Sequence, residues 1–205
     1  MLPKTTAHTL TDQTLAHVPL SMAEAVKPAI AFADRAGYAR FLSAMVAYTR
    51  GSGERLEHAA RVSPEGPLRA FFSRLAHEEA GHYKLAEADL AAMGLDPDAT
   101  PNETVLAFHR GWMSQRAPAY FLGTLYALES VAWHLRDDVG PHLARLGLAR
   151  EMCRFVSVHL QADEAHGADT AALVEAHGEA EAVRAAALDA ATFWVMLHLD
   201  ALVGL

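Results

Sequence analysis

The chain has 205 residues, of which 52% are hydrophobic and 20% are charged, a balance typical of a globular protein with a buried core. Its net charge of -8, with 17 scattered basic residues, argues against a nucleic-acid partner. No uncharged apolar stretch approaches the ~20 residues of a membrane-spanning helix. A single cysteine, Cys153, and the lack of a secretory signal pattern agree with a reducing compartment. We therefore expect a cytoplasmic protein with one domain over residues 1–205 and neither a membrane nor a nucleic-acid partner.

Alanine and leucine dominate the composition while glycine and proline fall at a few discrete places, which predicts an all-α fold of about seven helices. Residues 1–20 show no clear period and are expected to form an N-terminal arm. The sequence from Ser63 to Pro67 predicts a tight turn between antiparallel helices, and Gly140-Pro141 predicts a helix end. The predicted helices span 21–35, 38–62, 68–93, 102–116, 119–138, 148–176 and 179–203.

The strongest chemical signal lies in the helix predicted over residues 148–176. His159, Asp163 and His166 stand at i, i+4 and i+7, which fall within an arc of about 60° on a helix. Two imidazoles and one carboxylate that converge in this way form half of a divalent-metal site.

The same spacing of a carboxylate and a histidine occurs a second time. Glu79 and His82 stand at i, i+3, as do Asp163 and His166. Such a motif on each of two helices, with single carboxylates from two others, is the ligand arrangement of di-iron carboxylate bundles. Two occurrences within long helices indicate a metal centre far more strongly than one.

A third signal is a lone acid in an apolar run. Glu129 is the only acid in residues 117–133, so a buried helix there would need a cation beside it. A metal ion supplies that cation, although an ion pair with Arg136 is an alternative. Tyr126 lies one turn earlier, where its hydroxyl would bond a ligand carboxylate or line a pocket, and we assign it as a candidate catalytic residue.

Each of these residues also has an ordinary structural interpretation. A single histidine on an apolar helix is more often a hydrogen-bonded core residue than a ligand, and acidic pairs such as Glu78-Glu79 usually face solvent. If the turn at residues 63–67 forms a tight hairpin, Met45 to Tyr48 lie opposite His82 and the helix before the turn contributes no carboxylate. An offset hairpin would instead bring Glu54 or Glu57 to the metal. The convergence of three clusters from three helices favours the metal site.

These motifs together resemble the haem-oxygenase-like di-iron oxidases, the iron-containing redox enzymes. The resemblance rests on Glu-Glu-x-x-His ending at His82, the segment Leu-Gly-Thr-Leu-Tyr-Ala-Leu-Glu ending at Glu129, and His-x3-Asp-x2-His from His159 to His166. It covers about residues 68–176 and hardly includes the N-terminal arm.

The resemblance implies a seven-helix, haem-oxygenase-like bundle that forms a homodimer and binds two iron ions. It implies dioxygen as co-substrate and a small amino-acid, amine or fatty-acid type of substrate. Leu75 and Met45 occupy positions where some relatives place a further carboxylate, which implies a more weakly bound second iron. We expect the substrate cavity to be lined by Tyr48, Phe72, Tyr126 and Trp133. The implied metal ligands are Glu79, His82, Glu129, His159, Asp163 and His166.

Proteins of other function share this fold. A haem oxygenase would need a haem-ligating histidine near the N-terminus, for which His17 is the candidate, and glycines after Glu129, where Ser130 stands instead. A thiamine-salvage hydrolase would need a cysteine in the cavity, and Cys153 lies about 120° round the helix from His159. A non-catalytic metal or ligand binder is the remaining alternative.

Overall fold

The computed structural model describes residues 13–96, 101–177 and 180–203, and within these ranges the secondary structure is helical, with no strand. The helices are α1 (Gln13–Phe32), α2 (Arg35–Thr49), α3 (Ser52–Val62), α4 (Pro67–Glu79), α5 (Tyr83–Ala92), α6 (Glu103–Ser114), α7 (Pro118–Arg145), α8 (Arg154–His177) and α9 (Ala180–Val203), with a 3₁₀ turn at Arg150–Met152. The predicted all-α class is confirmed.

Two of the predicted long helices are each divided in two. The helix predicted over 38–62 breaks at Arg50-Gly51, and the helix predicted over 68–93 breaks at residues 80–82. At the second break the His82 amide donates to the Glu79 carbonyl at 3.2 Å, an i to i+3 bond that tightens the chain into a 3₁₀-like turn. The regular α-helix is therefore interrupted between Glu79 and His82.

The predicted N-terminal arm is wrong for residues 13–20, which form the first turns of α1. Leu15, Val18, Met22 and Val26 recur on one helix face and are all buried, so their burial offsets the backbone hydrogen bond lost at Pro19. The predicted helix start at Ser21 is wrong for the same reason. Residues 1–12 lie outside the described part of the chain.

The predicted helix end at Gly140-Pro141 is also wrong, because α7 continues to Arg145. A proline disfavours helical geometry in the residue before it through clashes with that residue's backbone N–H and β-carbon, and Gly140 has no β-carbon, which removes one of the two clashes. Beyond Pro141, His142 is buried and Leu143 packs against the core, which stabilises the last turns of the helix.

A buried carboxylate sets the start of α8. Asp89 on α5 is fully buried and accepts hydrogen bonds from the amides of Arg154, at 3.0 Å, and Phe155, at 2.8 Å. These are unpaired donors of the first turn of α8, so Asp89 caps that helix from another helix. The helix predicted from residue 148 therefore begins only at Arg154, after the 3₁₀ turn.

The long helix α7 lies at the centre of the bundle and packs against α1, α8 and α9. The α3 and α4 helices form the predicted hairpin about the turn at Ser63–Pro67, where Gly66 has a φ of 121°. Helix α2 packs against α5 and α9. This arrangement brings the break between α4 and α5 close to α7 and α8.

Helix α9 is long and apolar enough, by length and composition, to cross a membrane over Ala180–Leu202. Half of that segment is buried inside the bundle, and the core helix of a soluble protein meets the same criterion. The segment also carries four charged residues, Glu181, Arg184, Asp189 and Asp200.

The closest approach between α7 and α9 occurs at Gly123. A β-carbon there would lie 3.0 Å from the Ala186 β-carbon and would overlap the Val183 backbone, which has no flexible end to move away. We predict that Gly123→Ala lowers the free energy of unfolding by about 2 to 4 kcal/mol, measured by urea titration. Gly111→Ala in α6, where the nearest atom is 3.9 Å away, is the control and should be neutral or gain up to about 1 kcal/mol. Equal stability of the two variants would contradict the close packing.

His198 is a buried imidazole on α9. Its Nδ1 donates to the Trp194 carbonyl at 2.8 Å, and its ring lies 3.8 Å from the Trp194 ring and 5.3 Å from Phe41. Burial lowers the pKa of His198 to about 4, because the charged ring would lose its hydration there.

This lowered pKa predicts acid sensitivity. Between pH 6.5 and about 4 the unfolded chain binds a proton that the folded chain does not, so the free energy of unfolding falls as the pH falls. We predict that His198→Leu removes up to about 2 kcal/mol of the difference in unfolding free energy between pH 7 and pH 5, measured by urea titration at the two pH values. The exposed His77→Leu serves as control, and identical pH dependence in wild type and His198→Leu would disprove the assignment.

Candidate metal centre

The break between α4 and α5 places two candidate ligands side by side. Glu79 is the last residue of α4 and is 8% exposed, and His82 is the residue before α5. The Nδ1 atom of His82 lies 2.8 Å from Glu79 Oε2, but it is buried and makes no hydrogen bond within the described part of the chain. The nearby carboxylate raises the pKa of His82. The Glu79 carboxylate therefore lies close to His82 Nδ1 without forming a hydrogen bond to it.

His159 completes a three-residue cluster from α8. One ligand atom from each of Glu79, His82 and His159 lies within 4.8 Å of the others, and the two imidazole rings are 4.8 Å apart. The Nδ1 atom of His159 donates to the Phe155 carbonyl at 2.8 Å, which leaves Nε2 free as a lone-pair donor. Burial lowers the pKa of His159, so the ring is held in its neutral, metal-binding form.

His166 and Glu129 lie next to this cluster. The Nδ1 atom of His166 lies 3.3 Å from Glu129 Oε2 and 4.0 Å from Glu79 Oε1, and its Nε2 lies 3.2 Å from Glu78 Oε2. The Glu129 carboxylate raises the pKa of His166. The alternative pairing of Glu129 with Arg136 is not observed, because Arg136 lies 3.4 Å from the Trp133 ring. The partnership of Glu78 with His166 was not predicted from the sequence.

The remaining acidic candidates fall into two groups. The backbone of Asp163 belongs to α8 between His159 and His166, but its side chain lies outside the described part of the structure. Glu54 and Glu57 are exposed on α3, as the hairpin register predicts. Five of the six predicted ligands are thus brought together, namely Glu79, His82, Glu129, His159 and His166.

The arrangement fits a divalent transition metal. Glu79 and Glu129 are largely buried, and the described histidines offer imidazole nitrogens beside them. Carboxylate oxygens and imidazole nitrogens are the donor set of non-haem iron sites. The buried Nδ1 of His82, without a hydrogen bond yet 2.8 Å from a carboxylate oxygen, is the arrangement expected of two ligands that share a cation.

A cavity of about 190 Å³ adjoins these residues. Glu79, Glu129 and His159 form part of its wall, and most of the rest is apolar, including Ile30 and Leu143. Met45 and Tyr48 also line it, as the hairpin register predicts, so no early-helix carboxylate lies at that level among the described residues.

The predicted cavity wall is correct only for Tyr48. Phe72 packs in the core against Phe121 at 5.9 Å, and Trp133 is 44% exposed, so neither lines the cavity. Tyr126 is buried but faces away, because the cavity side of α7 is the face of Leu125 and Glu129. Burial raises the pKa of Tyr126 to about 12. The catalytic assignment of Tyr126 stays a prediction that no observed cavity contact supports.

A cavity residue that the sequence analysis missed is Arg55 on α3. It is 3% exposed and lies 4.7 Å from the Tyr48 ring. The available signal was that no acidic residue stands three or four positions away from Arg55, whereas exposed helical arginines commonly have one. The adjacent Glu54 and Glu57 made this helix resemble a solvated surface.

The residues needed by the two alternative functions lie elsewhere. His17 is exposed on α1 and its Nδ1 lies 2.6 Å from the Gln13 carbonyl, so it does not face the cavity. Cys153 is buried but does not line the cavity, and burial raises the pKa of its thiol. Neither residue has the placement that a haem ligand or a cavity nucleophile would need.

Solved structures with low sequence identity share the fold. A Shewanella denitrificans domain of unknown function with a heme oxygenase-like fold superposes with a TM-score of 0.80 at 18% identity, covering 97% of this chain and 93% of the other. A TenA homolog from Pseudomonas syringae gives 0.76 at 14% identity, covering 100% and 99%, and a TenA homologue from P. horikoshii gives 0.75 at 12%, covering 94% and 96%. The predicted haem-oxygenase-like fold is confirmed.

Sequence comparison identifies the family. No curated protein matches the chain. The family model described as iron-containing redox enzyme matches residues 39–201, which include every predicted metal ligand. The chain therefore belongs to the iron-containing redox enzyme family.

Proposed function

We propose that the protein is a non-haem, di-iron oxidase or oxygenase that uses dioxygen to oxidise a small organic substrate in the adjoining cavity. The observation that carries the proposal is the cluster of Glu79, His82 and His159, whose ligand atoms lie within 4.8 Å of one another beside a largely apolar cavity. Family membership supports iron as the metal.

In this proposal Glu79, His82 and His159 hold one ion, while Glu129, His166 and Asp163 hold the second. Glu79 lies between the two groups, because its Oε2 is 2.8 Å from His82 and its Oε1 is 4.0 Å from His166. When bound, iron would supply the electron transfer to dioxygen that no protein side chain provides.

The protein's own residues supply position and environment. The Phe155 carbonyl holds the tautomer and orientation of His159. The apolar wall of the cavity excludes water from the reacting groups. Asp89 fixes the first turn of α8, one turn before His159, and so holds that helix against α5.

The alternative of a thiamine-salvage hydrolase is not favoured, because Cys153 does not line the cavity. The cytoplasmic location, the homodimer and the absence of nucleic-acid and membrane partners remain predictions.

We predict that the purified protein takes up one to two Fe(II) per chain, and that His82→Ala combined with His159→Ala weakens uptake at least about tenfold. The control is His77→Ala with His177→Ala, which removes exposed histidines from α4 and α8. Fe(II) titration under anaerobic conditions followed by metal analysis measures the effect. Equal iron content in the two double variants would disprove the proposed centre.

A second prediction concerns Glu129. Glu129→Gln keeps the side-chain shape and removes a charge, so we expect Fe(II) affinity to fall about tenfold or more. The metal-free protein should change in stability by less than about 1 kcal/mol, because relief of repulsion from Glu79 offsets the weakened contact with His166. Urea unfolding with a chelator present measures the stability, and a loss of several kcal/mol would indicate a structural ion pair instead.

A further inference from the structure

His166 lies between carboxylates that approach its two ring nitrogens separately. Its Nδ1 atom lies 3.3 Å from Glu129 Oε2 and 4.0 Å from Glu79 Oε1, and therefore faces the proposed metal centre. Its Nε2 atom lies 3.2 Å from Glu78 Oε2. Glu78 and Glu79 reach different nitrogens of one ring because consecutive helical residues point about 100° apart. The Glu78 carboxylate is thus a partner of His166 that the proposed centre does not use.

Arg74 connects Glu78 back to the helix that carries His166. It lies one turn before Glu78 on α4, and its Nη1 atom donates to the two Glu78 carboxylate oxygens at 3.4 and 3.5 Å. Its Nη2 atom donates to Asp169 Oδ2 at 2.6 Å, and Asp169 stands three residues after His166 on α8. The contacts therefore run from α8 to α4 and back, through a set that we call the polar bridge: His166, Glu78, Arg74 and Asp169.

The polar bridge joins two helices whose main packing partners lie elsewhere. Helix α4 packs chiefly against α3, and α8 packs chiefly against α7. The bridge connects the helix of Glu79 directly to the helix of His166. The Arg74 side chain is 45% exposed and the Asp169 side chain 53%, and ion pairs with so much access to water contribute little to stability. We therefore expect the bridge to affect the orientation of the buried His166 imidazole rather than folding.

A ligand histidine needs a partner at the ring nitrogen that does not bind the metal. Such histidines usually donate that N–H to a carboxylate, a carbonyl or water, which fixes the tautomer and the ring orientation. The Phe155 carbonyl has this role for His159. For His166 the Glu78 carboxylate is the group placed to accept, at 3.2 Å from Nε2.

We propose that Glu78 and Arg74 are positioning residues for the second metal ion. Glu78 accepts the Nε2–H of His166, so the lone pair of Nδ1 faces the metal, and Arg74 holds the Glu78 carboxylate in place. This inference rests on the proposed function, since it concerns a ligand of the same centre. Neither residue is among the proposed ligands, so their effect reaches the metal only through His166.

Anaerobic Fe(II) titration tests the proposal in variants of Glu78. We expect Glu78→Ala to weaken by about tenfold or more the binding phase that His166→Ala removes, because outer partners of ligand histidines commonly have effects of this size. Glu78→Gln removes the same charge but keeps a neutral acceptor, so it should bind Fe(II) more tightly than Glu78→Ala. Equal affinities in the wild type and Glu78→Ala would overturn the proposal, as would equal losses in the two variants.

Combined variants separate this role from a general effect of charge. In the His166→Ala background, Glu78→Ala should cause no further loss of Fe(II) affinity, because its effect passes through His166. Arg74→Ala should weaken Fe(II) binding, and Arg74→Lys, which keeps the positive charge, should recover part of the loss. A further loss in the His166→Ala background as large as the loss in the wild type would show that Glu78 acts through its charge alone and would overturn the proposal.

Arg50 and Glu87 supply the matched control, since their ion pair also joins two helices, at 2.7 Å, with similar exposure of both side chains. Glu87→Ala should leave the Fe(II) affinity unchanged. In urea unfolding of the metal-free protein, Glu78→Ala and Glu87→Ala should lower the midpoint equally little. A much larger loss of stability in Glu78→Ala would indicate a structural role and contradict the positioning role.

The imidazole nitrogens of His166 give a signature that a structural role would not change. In Zn(II)-loaded protein with ¹⁵N-labelled histidine, NMR distinguishes a metal-bound ring nitrogen from a protonated one, and the signals absent in His166→Ala belong to His166. We expect Nδ1 of His166 to bind Zn(II) and Nε2 to carry the proton. Zn(II) bound at Nε2, or at neither nitrogen, would refute the assignment.

The two proposals fail separately. A wild-type protein that takes up no Fe(II) but binds Zn(II), with an affinity lowered in Glu78→Ala and not in Glu87→Ala, would refute the iron centre and retain the positioning role. A protein that takes up Fe(II) equally well with and without the Glu78 carboxylate would do the reverse.

Discussion

Negative charge buried inside an apolar helical bundle is the constraint on which the rest of this structure depends. Glu79 and Glu129 come from different helices and lie among side chains that give them little water. Carboxylates in such a place are costly unless cations or hydrogen-bond donors meet them. His82, His159 and His166 compensate these carboxylates only in part, since the Nδ1 atom of His82 has no hydrogen bond within the described part of the chain. In the proposed function a metal ion completes the balance.

Two local backbone features bring these carboxylates and imidazoles close together. A continuous helix through residues 68–93 would keep Glu79 and His82 on one straight face. The 3₁₀-like turn at 80–82 ends α4 at the carboxylate and starts α5 after the imidazole, and in this geometry Glu79 Oε2 lies 2.8 Å from His82 Nδ1. On the other side, Gly167 lets α8 approach α7, where a β-carbon would lie 3.2 Å from Ser130 Oγ.

Periodicity and turn residues predicted the helical class, the α3–α4 hairpin and most helix positions, because these depend on local spacing. They failed where tertiary contacts override local preference: at Pro19 and Pro141, which lie inside helices because the surrounding turns are buried. Spacing within one helix paired Glu79 with His82. The contact between Glu129 and His166 could only be inferred from the family resemblance, since no local pattern encodes which helices meet.

The burial of Arg55 could not be predicted reliably from the sequence. Its sequence neighbourhood differs from that of the exposed Arg61 on the same helix only by a weak signal: Arg61 has an acid four positions away on each side, Glu57 and Glu65, whereas Arg55 has none three or four positions away. Burial of Arg55 follows from the packing of α3 against α6, whose Trp112 indole donates to the Arg55 carbonyl at 2.7 Å. Whether a charge faces solvent or a cavity is decided by such contacts between elements.

The cap that Asp89 places on α8 has a consequence for the order of synthesis. Ligands from α4 and α5 leave the ribosome early, whereas His159 and His166 follow only after the whole of α7 has been made. Until α8 docks on Asp89, a nascent chain presents Glu79 and His82, and Glu129 once α7 is made, but neither His159 nor His166. In the proposed function the complete set of ligands is therefore assembled only at a late stage of biogenesis, and a chain truncated before α8 lacks both of these histidines.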